Sequence, residues 1–150
     1  MIERTFNEEF ISRIALDSQI IDDMLQDGES VDDCGFNFEQ TVYLKYKDFG
    51  LFILKPITNA VVDIHPVFLK GKRSEAIKAM GLALDWIFKN SHSMLNKVVA
   101  QFPANRKEIK LYALKCGFKV EGINRESFLK DGEYLDQVMV GITRGETCQA

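Results

Sequence analysis

The stretch Ile64-His65-Pro66-Val67-Phe68-Leu69-Lys70-Gly71-Lys72-Arg73-Ser74-Glu75-Ala76 decides how the chain is read. It begins inside a mostly apolar run, 60–68, that predicts a strand, with Pro66 removing one ladder donor. A short basic loop with one glycine follows. From there Ala76, Ile77, Met80, Ala83, Leu84, Ile87 and Phe88 fall at helical spacing, with Lys78 and Asp85 outside, and predict a helix over 74–89. Free backbone N–H groups at such a helix start, with Lys70, Lys72 and Arg73 beside them, make a site for a pyrophosphate. A plain strand-to-helix connection with solvated lysines has the same pattern. The loop alone leaves both readings open.

The flanking residues give this unit a sheet to join. Residues 41–47 alternate Val42, Leu44 and Tyr46 against Thr41, Tyr43 and Lys45. Turns at 48–50 and at Thr58-Asn59 separate them from an apolar run, 51–54, and from the strand at 60–68. This predicts an antiparallel meander. In front, Asn7 is placed to cap a helix with Glu8 and Glu9 in its first turn and Phe10, Ile11 and Ile14 on one face. Asp17 or Ser18 starts a second, with Ile20, Ile21, Met24 and Leu25 inward, and residues 26–37 read as loop. Residues 2–6 are open to a leading strand.

Downstream, residues 97–102 (KVVAQF) read as a buried strand. Asn105 is placed to cap a helix with Ile109, Leu111, Tyr112 and Leu114 inward, stopped by Gly117. Residues 118–129 and 134–143 flank Asp131-Gly132, a hairpin turn, and 145–150 form a loose tail. The whole reads as one domain over 1–150, an α/β sandwich of one mixed sheet with helices on its faces.

Composition sets the limits. The chain is 46% hydrophobic and 27% charged over 150 residues, which suits a single globular domain and excludes a disordered, collagen-like or coiled-coil chain. No apolar run approaches the ~20 residues that cross a bilayer. The start, MIERTFNEEF, is too charged for a secretory signal peptide. Cys34, Cys116 and Cys148 are widely spaced and read as reduced thiols of a cytoplasmic protein. With His65 and His92 the sole histidines, no metal site is expected. The net charge of −3 conceals a division: residues 1–68 carry −8, 69–119 carry +8 and 120–150 carry −3. A basic block inside an acidic chain is either a solvated pair of Lys-rich helices or a pocket for a polyanion. Nucleic acid is not expected as a partner at a pI near 5.4.

In order and spacing these pieces resemble the GNAT N-acetyltransferase superfamily. The resemblance runs roughly from Gln40 to Arg144. It is carried by the strand–Pro–loop–helix at 61–88, the short strand at 97–102, and Asn105 opening a helix that ends in Cys116-Gly117-Phe118. The ending Gly117-Phe118-Lys119-Val120-Glu121-Gly122-Ile123-Asn124-Arg125 … Asp131-Gly132-Glu133-Tyr134-Leu135-Asp136 is similar to that of the ribosomal-protein-alanine N-acetyltransferases in particular. The resemblance implies a mixed, mostly antiparallel sheet in the order (β)ααβββαβαββ, with a splayed parallel pair at 61–68 and 97–102. It implies acetyl-CoA as cofactor and direct acetyl transfer to an amine of a small molecule, peptide or protein. The backbone of Ile64, Pro66 and Val67 would hold pantetheine, and Lys70, Gly71, Lys72, Arg73 and Ser74 the pyrophosphate. Asn105 and Tyr112 would lie near the thiol, and Lys110 and Arg106 near the ribose phosphate.

The chain departs from the family at two points. The family loop [Q/R]-x-x-G-x-[G/A] meets Phe68-Leu69-Lys70-Gly71-Lys72-Arg73 here, and only Gly71 matches. Arg73 stands where a small residue lets a phosphate approach the backbone, and it either adds a guanidinium contact or obstructs the site. Tyr112, the expected acid for the leaving thiolate, lies five residues before Gly117 rather than four, with Ala113 in the expected slot. It equally fits an apolar core stripe. The candidate bases are His65, whose ordinary pKa suits the task, Asp63 on the same strand face, and Glu121. The acidic front, Asp22, Asp23, Asp27, Glu29, Asp32 and Asp33, lies where the superfamily builds its acceptor cleft. It either attracts a cationic amine or basic peptide, or is a solvated loop.

A second resemblance is to small GNAT-like bacteriophage proteins, through Gln26-Asp27-Gly28, the altered loop and the Cys116-Gly117-Phe118 ending. It implies either a modifying enzyme or a catalytically silent fold used in head assembly. An open groove between the splayed strands favours the enzyme; a plugged one favours the assembly part. Pairing of two copies through the hairpin at 118–143 is a further expectation.

Overall fold

A computed structural model of the chain describes residues 1–30 and 35–147. In chain order the elements are β1 (Ile2–Arg4), α1 (Glu8–Ala15), α2 (Ser18–Met24), β2 (Val42–Tyr46), β3 (Gly50–Pro56) and β4 (Val61–Phe68). A 3₁₀ turn (Arg73–Glu75) leads into α3 (Ala76–Asn90). There follow β5 (Lys97–Pro103), α4 (Lys107–Lys115), β6 (Lys119–Lys130), β7 (Glu133–Thr143) and α5 (Arg144–Thr147). The strands form one mixed sheet in the order β1-β2-β3-β4-β5-β7-β6, in which only β4 and β5 pair in parallel.

Local chemistry sets the element ends. Asn7 Oδ1 accepts the Phe10 N–H at 3.0 Å and Asp17 Oδ1 accepts the Gln19 N–H at 3.0 Å, so each front helix has its side-chain cap. Asp131 and Gly132 both take positive φ, 52° and 77°, as the tight turn between β6 and β7 demands. Asp27, from the loop after α2, accepts the N–H groups of both turn residues at 3.0 and 2.8 Å. The β6–β7 hairpin is thereby tied to the front of the molecule.

Two apolar layers sandwich the sheet. Phe10, Ile11, Ile14 and Ile20 pack on Tyr43, Leu51 and Val67 on one face. The larger core lies on the other face, where α3 packs Ala79, Met80, Ala83, Leu84 and Ile87 against Leu44, Phe52, Ile64 and Val98. Because both faces of β2 are covered, Tyr43, Leu44 and Tyr46 are all buried, and the period-two pattern there is not a pattern of burial. Helices cover the first face only above β2, β3 and the end of β4. Among the described residues none lies over the part that runs from Asp63 through Val99 to Met139.

Several expectations are corrected. Ile77 is exposed and Ala79 takes its place in the α3 stripe. Leu111 and Leu114 are exposed; the inward face of α4 is Ile109, Tyr112 and Ala113. Asn105 does not cap α4: that position falls to Arg106, which makes no side-chain cap. The tail at 145–150 begins as α5, and its remainder lies outside the described residues. No described helix is long and apolar enough to cross a membrane.

Asp27→Ala should lower the melting temperature and speed amide exchange at Asp131 and Gly132, leaving the amides of α3 protected. Hydrogen exchange read by NMR checks this. Unchanged turn amides would mean that the hairpin stands without Asp27.

Candidate active site

β4 and β5 pair over three registers alone, Val61↔Lys97, Val62↔Val98 and Asp63↔Val99. Past these the strands part, each held by its outer neighbour: β4 by β3 up to Gly50↔Phe68, β5 by β7 up to Pro103↔Gln137. The hydrogen-bond alternation along β4 shows what the open edge offers. Val61 accepts from Ile57 on the β3 side, and Ala60 accepts from Lys97 on the β5 side. Even-numbered residues of β4 therefore turn their backbone groups toward β5. Pro66 is one of them, so its missing N–H costs the β3 ladder nothing. Past Ile64 the edge presents the carbonyls of Ile64 and Pro66 and the N–H of Phe68.

The parted strands frame a cleft of about 730 Å³ that passes between α2 on one face and α3 and α4 on the other. Ile64, His65, Pro66, Val67 and Phe68 line it from β4, Ala100, Gln101 and Phe102 from β5, and Tyr112 from α4. Of the basic loop only Arg73 reaches the lining. Lys70, Gly71, Lys72 and Ser74 are exposed outside it, with the Lys72 ammonium 5.4 Å over the Phe49 ring. Gly71 takes φ +87°, the left-handed conformation that the loop needs there. At the start of the 3₁₀ turn the N–H groups of Arg73 and Ser74 have no protein acceptor. Asn105 is exposed and outside the lining. Arg73 edges the opening without filling it.

Arg106, Asp63, Lys55 and Gln101 also line the cleft. A strong reading of Gln101 was available from sequence, since it is the one polar residue within the apolar strand 98–102. Lys55 carried no such signal. Its place follows from the register Lys55↔Asp63, which a sequence does not print.

Electrostatics sort the candidates. Burial pushes the Asp63 carboxyl up to about 6, with nearby Lys55 pulling it down in part. Enclosure pushes the His65 imidazole down to about 4, and Lys55 adds to this. His65 is thus neutral at physiological pH and a poor proton acceptor, which overturns the expectation that its pKa suits a base. Burial, and then Cys116, raise the Tyr112 phenol far above its ordinary value; its hydroxyl donates to Ala76 O at 2.9 Å. The Cys116 thiol is pushed up to about 11 by burial. Glu121 is engaged by Lys97 at 2.5 Å.

The acidic front is largely committed to structure. Asp23 and Glu108 both pair with Arg106, at 3.5 and 2.5 Å, which closes α2 onto the start of α4 at one end of the cleft. Asp27 holds the hairpin turn, which keeps its carboxyl below the usual range. Asp32 and Asp33 lie outside the described residues, as do Cys34 and Cys148. Among the described residues no cluster of His, Cys, Asp and Glu could hold a metal ion.

The sequence matches no protein-family model. No curated protein matches it in sequence. Solved structures do match it. A spermidine N-acetyltransferase from Vibrio cholerae in complex with CoA and spermine aligns with a TM-score of 0.79 at 16% identity, covering 99% of this chain and 98% of that one. A chimera of that enzyme and hSSAT aligns at 0.76 and 16% identity over 100% and 98%. The dodecameric Vibrio cholerae enzyme in an intermediate state aligns at 0.63 and 19% identity over 73% and 67%. At such identities the likeness is one of fold, and the fold is that of the GNAT acetyltransferases. The finer resemblances, to the ribosomal-protein-alanine branch and to the bacteriophage proteins, gain no support from these neighbours.

Asp63 and His65 give the stability an internal compensation. Asp63 ionises near 3.8 when unfolded and near 6 when folded, so its contribution falls as pH rises between them. His65 protonates near 6.5 unfolded and near 4 folded, so its contribution is lost as pH falls through the same window. Asp63→Asn should leave stability rising with pH across that window, and His65→Gln should leave it falling. The expected change across the window is about 1–3 kcal/mol in total, smaller for Asp63, whose solvent contact screens it. Urea unfolding at several pH values checks this; an Asp63→Asn profile parallel to wild type would show an unperturbed carboxyl.

Proposed function

We propose that the chain is an acetyl-CoA-dependent N-acetyltransferase acting on a small-molecule amine. The open splay between β4 and β5 carries this reading. Two seven-residue ladders hold the strands on their outer sides while leaving a strand edge bare inside a 730 Å³ cleft. Bare backbone groups demand a hydrogen-bonding occupant. The carbonyls of Ile64 and Pro66 suit the amides of pantetheine, and Arg73, with the free N–H groups of Arg73 and Ser74, suits the pyrophosphate. Lys70 and Lys72, beside the turn at Gly71, add positive field outside the cleft. The open groove speaks against a silent assembly role.

Bound acetyl-CoA would supply the acetyl group as a thioester. This chain's part is to accept and deliver protons and to hold the amine. Asp63, a carboxylate at pH 7, takes the proton that the acceptor nitrogen must lose. Tyr112 keeps its proton under all ordinary conditions and is the donor we assign to the departing sulfur; to act it turns from Ala76 O. His65, neutral, orients rather than titrates. The bare outer edge of β6 leaves room for a second copy.

Calorimetric titration with acetyl-CoA tests the reading. Micromolar binding is expected, weakened about tenfold or more in Arg73→Glu, whose exposed position spares folding. With an accepted amine, the rate should climb as pH rises through about 6 and then level, as Asp63 ionises. Tyr112→Phe should cut kcat with cofactor affinity unchanged. Absence of binding at millimolar acetyl-CoA would overturn the proposal.

A further inference from the structure

A second, smaller cavity of about 190 Å³ adjoins the cleft on the helix-free face of the sheet. It shares Asp63, Ala100, Gln101 and Val140 with the cleft and is walled beyond them by Ile57, Val99, Met139 and Glu121. The register orders its walls. Asp63 lies beside Val99, and Val99 beside Gly141. A Cβ on Gly141 would meet Glu121 Oε1 and Lys97 Cε at 2.7 Å, so the bare glycine lets that ion pair close one wall. Ile57 and Met139 stay exposed at the mouth. The result is a mainly apolar hole with the Lys97–Glu121 ion pair on one wall and the unpaired Asp63 carboxylate at its junction with the cleft.

We infer that this cavity selects the acceptor: a primary monoamine with an apolar body of about five carbons, its ammonium on Asp63 and its carbon chain between Ile57, Val99 and Met139. The inference rests on the acetyltransferase reading for the reaction, not for the binding. The size fits, since an apolar cavity of roughly 150 Å³ admits benzene. The charges fit a single ammonium. Among the described residues that line the cleft and cavity, Asp23 and Glu108 are taken by Arg106 and Glu121 by Lys97. Asp63 alone of these carboxylates has no ion pair or hydrogen bond, and burial leaves it short of solvation. Lys55 beside it, with Arg73 further along, repels a second ammonium. For a polyamine, the next carboxylate of this cavity, Glu121, is already paired with Lys97.

Saturation-transfer NMR on the intact protein, without cofactor, decides it. The probes are methylamine, butylamine, 3-methylbutylamine and spermidine at moderate salt. Affinity should rise about fourfold per added methylene until the cavity is full, and 3-methylbutylamine should bind at least about tenfold tighter than spermidine. Asp63→Asn should abolish amine binding. Ile57→Asp, a change at an exposed site, should weaken 3-methylbutylamine and strengthen 1,4-diaminobutane. A flat methylene series, tighter spermidine, or an unaffected Asp63→Asn overturns the inference. A parallel acetyl-CoA titration keeps the failures apart: amine selectivity without cofactor binding sinks the enzyme reading alone, and cofactor binding without this selectivity sinks the acceptor assignment alone.

Discussion

Everything at the site follows from how little holds β4 to β5. Three parallel registers join two antiparallel half-sheets that are otherwise complete, β1-β2-β3-β4 and β5-β7-β6. A full parallel ladder would satisfy the backbone of 64–68 and 100–103 and leave no site. Stopping it at Asp63↔Val99 strands polar groups that cost free energy unless water or a ligand meets them. The separation is sustained from outside. Ladders of seven pairs on each flank fix both strands, α3 packs Met80 and Leu84 beneath the seam, and Arg106 spans to Asp23 across one end. Pro66 fits only because its nitrogen points into the gap. One residue earlier or later it would break a β3 bond.

The same gap sorts the charges. The basic block, 69–119, supplies the loop after β4 and helices α3 and α4, and of its cations Arg73 and Arg106 line the cleft. Three acids of the front, by contrast, are taken up by structure: Asp23 on Arg106, Asp27 on the hairpin turn, Glu29 accepting from the Gln26 N–H. What remains for chemistry in the described cleft is a single carboxylate raised by burial. Net charge and local chemistry point in opposite directions here. The chain is acidic overall, yet its cleft is lined by more cations than unpaired anions.

Legibility divides along the same seam. The splay of 61–68 from 97–102 was legible only through the family resemblance; the hairpin turn at Asp131-Gly132, both front helix caps and most of the α3 stripe are set by local patterns and could be read directly. So could His65, Pro66, Arg73 and Tyr112 as cleft residues. The errors came where neighbours in space decide. Ile77, Leu111 and Leu114 match a helical period but lie toward solvent, since α3 and α4 present Ala79 and Ala113 to a closely packed seam that larger side chains could not enter. Asn105 had the right chemistry for a cap and sits one residue too early. Lys55 and Met139 join the site through register, and register is a property of strand pairs rather than of segments.

His65 and Asp63 show how the fold sets chemistry that composition cannot. Both lie on one face of β4, two residues apart, and both are shifted toward their neutral forms by the same loss of water, with Lys55 pushing against the imidazolium and for the carboxylate. Residue type favours the histidine as base, because its ordinary pKa is the nearer to neutrality. Enclosure reverses the ranking. It moves the imidazole out of the working range and moves the carboxylate into it. In the proposed reaction the amine's proton therefore goes to Asp63, the group that burial makes more basic, and the adjacent neutral histidine adds no second charge to the enclosure.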